Sequence, residues 1–251
     1  MMKTSRIAAL AAITIFATVP LGACAAPDST EADASPETRA TTHEVEGFWH
    51  HDKLVTSKGK ELPIEGVFLM HDGEFLEQAV MGAPLDTPAA EGAEAMAHAG
   101  PYEVTPEGIK LTAEQTIAIS EAAAEPLSFT PSTHHDITAA NTGDNLTLTF
   151  GSGTVQTFTR IPASDIAIRR FANGRLALTG NRFVLVAGDA SEVVSGYGTF
   201  VRSGDKMTLS AKRWAESTKQ KARIASDLTV EATLTDTALT LSDGREFPIL
   251  R

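Results

Sequence analysis

The sequence predicts an all-β protein of antiparallel strands, and three observations carry that reading. From Glu46 onward the chain breaks into short runs in which apolar residues alternate with polar ones. Hairpin-type dipeptides separate the runs. The second half of the chain repeats the pattern of the first.

The opening strand is expected around Gly47 to Thr56, and Asp72-Gly73 marks the first tight turn. The segment 82–99 is rich in Ala, Glu and Pro. It reads as an inserted loop or a lid over one end of a barrel, with a short helix from Ala89 to Ala97. Ile109, Leu111, Ala113, Ile117 and Ile119 share one parity, so they are expected to line one face. Leu146, Leu148 and Phe150 alternate with Thr147 and Thr149. Met207, Leu209 and Ala211 repeat the theme, as do Leu239 and Leu241. Asn173-Gly174, Gly180-Asn181, Gly204-Asp205 and Asp243-Gly244 supply the later turns.

The repeat is specific enough to align. Residues 134–160 fall on 225–251 without gaps, so Asp136 meets Asp227, Gly153 meets Gly244 and Arg160 meets Arg251. Upstream, Gly100, Gly108, Lys110 and Thr112 match Gly196, Gly204, Lys206 and Thr208. Asp72-Gly73-Glu74 sits opposite Thr179-Gly180-Asn181. Turn glycines shared in one order read as a duplication, with repeat 1 at 44–162 and repeat 2 at 163–251. Repeat 1 carries the opening strand as an extra element. The linker Pro162-Ala-Ser-Asp165 is short, so the halves are expected to touch. The stretch 211–226 is basic, with Lys212, Arg213, Lys219, Lys221 and Arg223. It reads as a solvated strand end, or as a contact for lipid headgroups or an acidic partner.

The first 23 residues read as a secretory signal. Lys3 and Arg6 precede an apolar run from Ile7 to Val19, which Pro20 ends; the run is too short for a committed membrane span. Leu21-Gly22-Ala23-Cys24 resembles a bacterial lipobox. That resemblance implies cleavage before Cys24 and lipidation of its thiol. Cys24 is the single cysteine, so the exported fold has no disulfide and must be held by its core. Residues 24–43 contain no large apolar side chain and read as a flexible tether. Ala25, next to Cys24, resembles an outer-membrane sorting signal. The expected address is therefore the bacterial cell envelope, lipid-anchored to the outer membrane and facing the periplasm. The net charge of −11 becomes more negative once Lys3 and Arg6 leave, which argues against a nucleic-acid partner.

Glu46-Gly47-Phe48-Trp49 resembles the opening of lipocalin-like barrels, and the resemblance covers about 44–161. It implies that Trp49 closes one end of a barrel and that Arg160, ending Thr157-Phe158-Thr159-Arg160, packs over its ring. The implied fold class is all-β, with antiparallel lipocalin-like barrels built from two sequence-related repeats. The implied function is binding of a small apolar or amphipathic molecule.

Histidines are the remaining chemical feature. His-His-Asp occurs at His50-His51-Asp52 and at His134-His135-Asp136. Neighbours on a strand face opposite ways, so each doublet offers one inward imidazole: His51 beside Trp49 in parity, and His135 beside Ile137. Imidazole and carboxylate suit metal or acid–base work. The chain has no Gly-x-Ser-x-Gly elbow and no phosphate-cradling loop. The expectation is a binding protein without cofactor or resident metal. The alternatives are a structural or protein-interaction lipoprotein with a filled barrel, and a His-based isomerase, hydratase or metal-binding protein.

Overall fold

The computed structural model describes residues 45–82 and 93–250; the signal segment, Cys24, the tether and 83–92 lie outside them. Every regular element described is a strand, and the pairing is antiparallel throughout. The strands form two barrels within one compact unit, Glu37–Arg251.

Barrel 1 uses β1 (Gly47–Val55), β3 (Ile64–His71), β4 (Glu74–Met81), β5 (Glu94–Thr105), β6 (Gly108–Ala113), β9 (Thr133–Asn141), β10 (Asn145–Phe150) and β11 (Val155–Ile161). These eight close into a ring, because β1 pairs with β11 and β4 pairs with β5. The short β2 (Glu61–Leu62) pairs with the end of β1. β7 (Gln115–Ser120) and β8 (Leu127–Thr130) continue β6 and β9 as one long hairpin, with β7 still paired to β5.

Barrel 2 is a simple meander. Its strands are β12 (Ala167–Phe171), β13 (Gly174–Thr179), β14 (Arg182–Gly188), β15 (Glu192–Ser203), β16 (Lys206–Thr218), β17 (Ala222–Leu234), β18 (Ala238–Leu241) and β19 (Glu246–Pro248). The ring is nearly closed. β12 and β19 meet at a single bridge, Phe171 to Ile249, and the Leu250 N–H donates to the Arg170 carbonyl at 2.8 Å.

The two rings correspond strand for strand. β12 occupies in barrel 2 the place of β1 in barrel 1, so the opening strand is not an extra element of the first half. Gly66 opposes Ala79 across β3–β4, and Gly174 opposes Ala187 across β13–β14. Gly100 lies against Thr112 and Glu114 where β6 gives way to β7. Gly198 lies against Ser210 and Lys212 at the bulge in β16. Gly100 therefore corresponds to Gly198, not to Gly196, a slip of two residues from the sequence alignment. Along the last strands, the β10–β11 and β18–β19 turns match at Gly153 and Gly244. The preceding turns are Thr142–Asn145 and Thr235–Ala238, so gapless alignment fails there by two residues. β18 is shorter than β10, and barrel pairing tolerates that shortening where a linear alignment does not.

Alternation puts one face of each strand inside a ring. Barrel 1 is filled by Trp49, Phe68, Phe75, Leu146, Leu148 and Phe158 among others. Barrel 2 is filled by Phe171, Phe183, Leu185, Leu209 and Trp214 and their neighbours. A third core lies between the rings, on faces that an isolated barrel would expose to water. Phe48, Val67, Leu69 and Leu76 pack there with Ala177, Val184, Val186 and Val193.

This third core corrects two expectations. Residues 94–97 do not form a helix. They belong to β5, and Ala95, Ala97 and Ala99 are fully buried between the barrels, where small side chains let the sheets approach. Ile109, Leu111 and Ala113 line barrel 1 as expected, but Ile117 and Ile119 join the inter-barrel core. The pairing of β5 passes from β6 to β7 across an interruption at Glu114, and one parity serves two cores.

Polar clusters flank this core. Arg175, 1 % exposed, reaches Glu74 at 2.5 Å and Glu114 at 3.0 Å. Arg213 and Lys212 both pair with Glu65, and the Ile224 N–H donates to Glu121 at 2.6 Å. Burial alone would raise the Glu65 carboxyl; hydrogen bonds from Lys212 and Arg213 outweigh it and hold the group below its ordinary value. The basic run 211–226 is thus partly engaged, while Lys219 and Lys221 stay exposed. It forms the arms of β16 and β17, with Lys212 and Arg213 engaged by barrel 1 and Arg223 facing Glu216 at 3.8 Å.

Candidate functional site

Trp49, the expected end plug of barrel 1, is fully buried in its core. Its indole N–H donates to the Val45 carbonyl at 3.0 Å, and the Arg160 guanidinium sits 4.0 Å from the ring centroid. Arg160 also donates to the Glu46 carbonyl at 2.9 Å, so the first and last strands are latched there. A cation over an indole is worth about 0.5–2 kcal/mol, depending on desolvation. Tyr102 donates to the Glu46 carboxylate at 2.9 Å.

A polar layer lies beside Trp49. His51, fully buried, presents Nε2 to the Glu77 carboxylate at 3.0 Å. The other Glu77 oxygen meets His98 Nδ1 at 2.8 Å, and His98 is 21 % exposed. The His98 and His135 rings lie 6.3 Å apart, and the His135 ring packs against Phe150 at 5.9 Å. The His51 ring packs on Phe158 at 4.3 Å. Burial alone would raise the Glu77 carboxyl, but the imidazoles of His51 and His98 hold it far below the usual carboxylate range. His135 is lowered, first by burial and then by the neighbouring His98.

His51 and His135 thus face the lumen without meeting each other; Glu77 and His98 stand between them. The other members of the doublets point out: His50 pairs with Asp52 at 3.2 Å, and His134 meets the Thr112 hydroxyl at 3.2 Å. Among the described residues no group of three His, Cys, Asp or Glu side chains could hold a metal ion. A carboxylate separating two imidazoles is a chain of polar contacts rather than a ligand set. Sequence reasoning missed Glu77 and His98. A signal was present in Phe75-Leu-Glu-Gln-Ala-Val80, a strand buried on both faces that carries one carboxylate.

Barrel 2 gives the internal comparison. Glu77 opposes Phe68 and His98 in the ladders of barrel 1; the matching positions are Leu185, opposing Leu176 and Gly196. Phe171, beside Gly174, takes the place of His51, and the Trp214 ring covers Gly196. The same architecture therefore folds with an apolar layer where barrel 1 has His51, Glu77 and His98.

A second feature lies between the rings. A cleft of about 450 Å³ has Phe48, Val67 and Ile161 of barrel 1 on one side. On the other, Thr199, Ser210 and Thr229 form a row of hydroxyls across β15, β16 and β17. Arg182, Lys212 and Asp227 supply charge around it, and His50 also lines it. Tyr197 also lines the cleft. It is 5 % exposed, and burial followed by the nearby Glu65 carboxylate, which its hydroxyl also meets, raises its pKa. A space of this size, at a junction between two folded units and with an apolar wall and few polar groups, has the usual character of a small-ligand site.

No protein-family model, curated protein or solved structure matches the chain.

Proposed function

We propose that this protein is a lipid-anchored, lipocalin-like envelope protein that binds a small amphipathic molecule, with the ligand in the cleft between the barrels rather than in a lumen. The observation that carries the reading is the inter-barrel cleft: apolar on the Phe48 and Val67 side, hydroxylated on the Thr229 side, with the buried Tyr197 in its lining. Both lumens are occupied by their own aromatic and aliphatic side chains, which favours this placement. The strand-for-strand match of the rings, with Gly66 and Gly174 and again Gly100 and Gly198 in equivalent places, supports an origin by duplication.

An amphipathic dye such as anilinonaphthalene sulfonate should bind saturably. Thr229→Trp, a change at an exposed cleft residue, should weaken that binding by roughly tenfold or more while leaving the thermal midpoint unchanged. Dye binding insensitive to Thr229→Trp would place the ligand elsewhere. No saturable binding would leave the second reading, a protein-interaction module with filled barrels, which those same packed interiors favour.

Cys24 is the proposed anchor, placing the barrels in the cell envelope at the periplasmic face of the outer membrane on a tether of residues 24–43. Metabolic labelling with a fatty acid should mark the protein, and Cys24→Ser should abolish the label and release the protein from the membrane fraction. An unlabelled wild-type protein recovered wholly in the soluble fraction contradicts the anchor.

A further inference from the structure

The polar layer of barrel 1 has a composition that constrains its charge. Among the described residues it brings three imidazoles to one carboxylate: His51 from β1, His98 from β5 and His135 from β9 around Glu77 of β4. Around them stand Phe68 of β3, Phe150 of β10, and Phe158 and Gln156 of β11, none of which carries charge. Further titratable groups stand close to His135: His134 and Asp136 on the outer face of β9, and Tyr102 and Glu103 of β5 with Lys110 of β6, which line one cleft with it. One carboxylate offsets one proton on the imidazoles. Each additional proton leaves an uncompensated charge in a largely dry interior, a costly state. Neither nitrogen of the fully buried His51 has hydrogen-bond geometry; Nε2 lies 3.0 Å from Glu77 as a close polar contact.

We infer that the His51–Glu77–His98–His135 layer is a proton-binding site that loosens barrel 1 on mild acidification and leaves barrel 2 unaffected.

The direction follows from two groups. His135 has a depressed folded pKa, so the folded barrel resists its protonation. The stability of barrel 1 falls as pH drops below the ordinary imidazole value of 6.5. Glu77 has a depressed folded pKa as well. Its contribution is present above the ordinary carboxyl value of 4.5 and is lost as pH falls toward the folded value. The His135 contribution is the first to be lost as pH falls, so the response begins well before general acid denaturation. Barrel 2, with Phe171, Leu185 and Trp214 in the corresponding layer, has no titratable group there. Loosening would part β1, β4, β5 and β9 around the layer, the strands that the chain ties together.

Amide hydrogen exchange on the full chain tests this without a mutation. Protection, corrected for intrinsic rates, is compared at about pH 7.5 and about pH 5.5. Peptides from β1, β4, β5 and β9 should lose protection by roughly tenfold, the equivalent of one pKa unit, while peptides from β13 to β18 change little. His135→Val installs the residue of barrel 2, since Leu111 opposes His135 as Leu209 opposes Val230, and should flatten the response of barrel 1. An equal response of both barrels, or a response of barrel 1 that survives His135→Val, overturns the inference. If the variant does not fold, the contrast between the barrels in the wild-type chain still decides the matter.

Discussion

Gly198→Val is expected to prevent barrel 2 from closing, at a cost of at least about 3 kcal/mol. A Cβ at residue 198 would lie 2.1 Å from the Ser210 carbonyl oxygen and 2.8 Å from the Lys212 nitrogen. Both atoms are backbone, so no side chain can swing aside. The strand approaches this closely because β16 bulges at Lys212, where the register with β15 shifts. Gly100→Val should do the same to barrel 1, where a Cβ would lie 1.9 Å from the Thr112 carbonyl oxygen. Gly180→Ala is the control. Its left-handed backbone (φ +55) strains an alanine by about 1 kcal/mol, but nothing lies within 4 Å of the new methyl. Denaturant unfolding followed by tryptophan emission separates the cases, since Trp49 reports barrel 1 and Trp214 reports barrel 2. A Gly198→Val protein with an unshifted midpoint would mean that the bulge relaxes freely.

Arg175→Ala is expected to destabilise the docked barrels by about 3–5 kcal/mol, and Arg175→Met by less, the difference being the packing of the stem. The guanidinium holds Glu74 at 2.5 Å and Glu114 at 3.0 Å with its side chain 1 % exposed, and Glu74 itself is only 14 % exposed. Removing the cation strands a mostly buried carboxylate beside an apolar core. Methionine strands the same carboxylate but keeps the packing of the stem, so the two variants separate the charge from the volume. Arg170, 3.3 Å from Glu74, offers that carboxylate a second and more exposed partner. Arg175→Ala should therefore lose less at low ionic strength than at high. Urea unfolding at two salt concentrations reads both effects. If alanine and methionine lose equally, the ion pair outweighs the packing at this position.

Both outcomes bear on what was legible in the chain. Alternation in Leu146-Thr-Leu-Thr-Phe150 and in Met207-Thr-Leu-Ser-Ala211 foretold strands with one buried face, and those faces line the barrels. Parity likewise foretold that His51 and Trp49 share a face. The run Ala93 to Ala99 was misjudged for a physical reason. Alanine favours helices locally, and only the neighbouring barrel makes three alternate alanines useful in a strand. Glu77 and His98 were invisible as a pair because β4 and β5 are joined through residues 83–92, so no short-range spacing links them.

The sequence by itself determined the strands, their turns and the parity of each side chain, because these follow from dihedral preferences and a period of two that act over a few residues. Only the tertiary structure decided which buried face meets a lumen and which meets the other barrel. It alone brought one carboxylate between His51 and His98, and opened the cleft beside Tyr197. Those outcomes depend on ring closure and on docking between distant segments. A local pattern records that a face is buried; what lies against that face is settled by pairing across the whole chain.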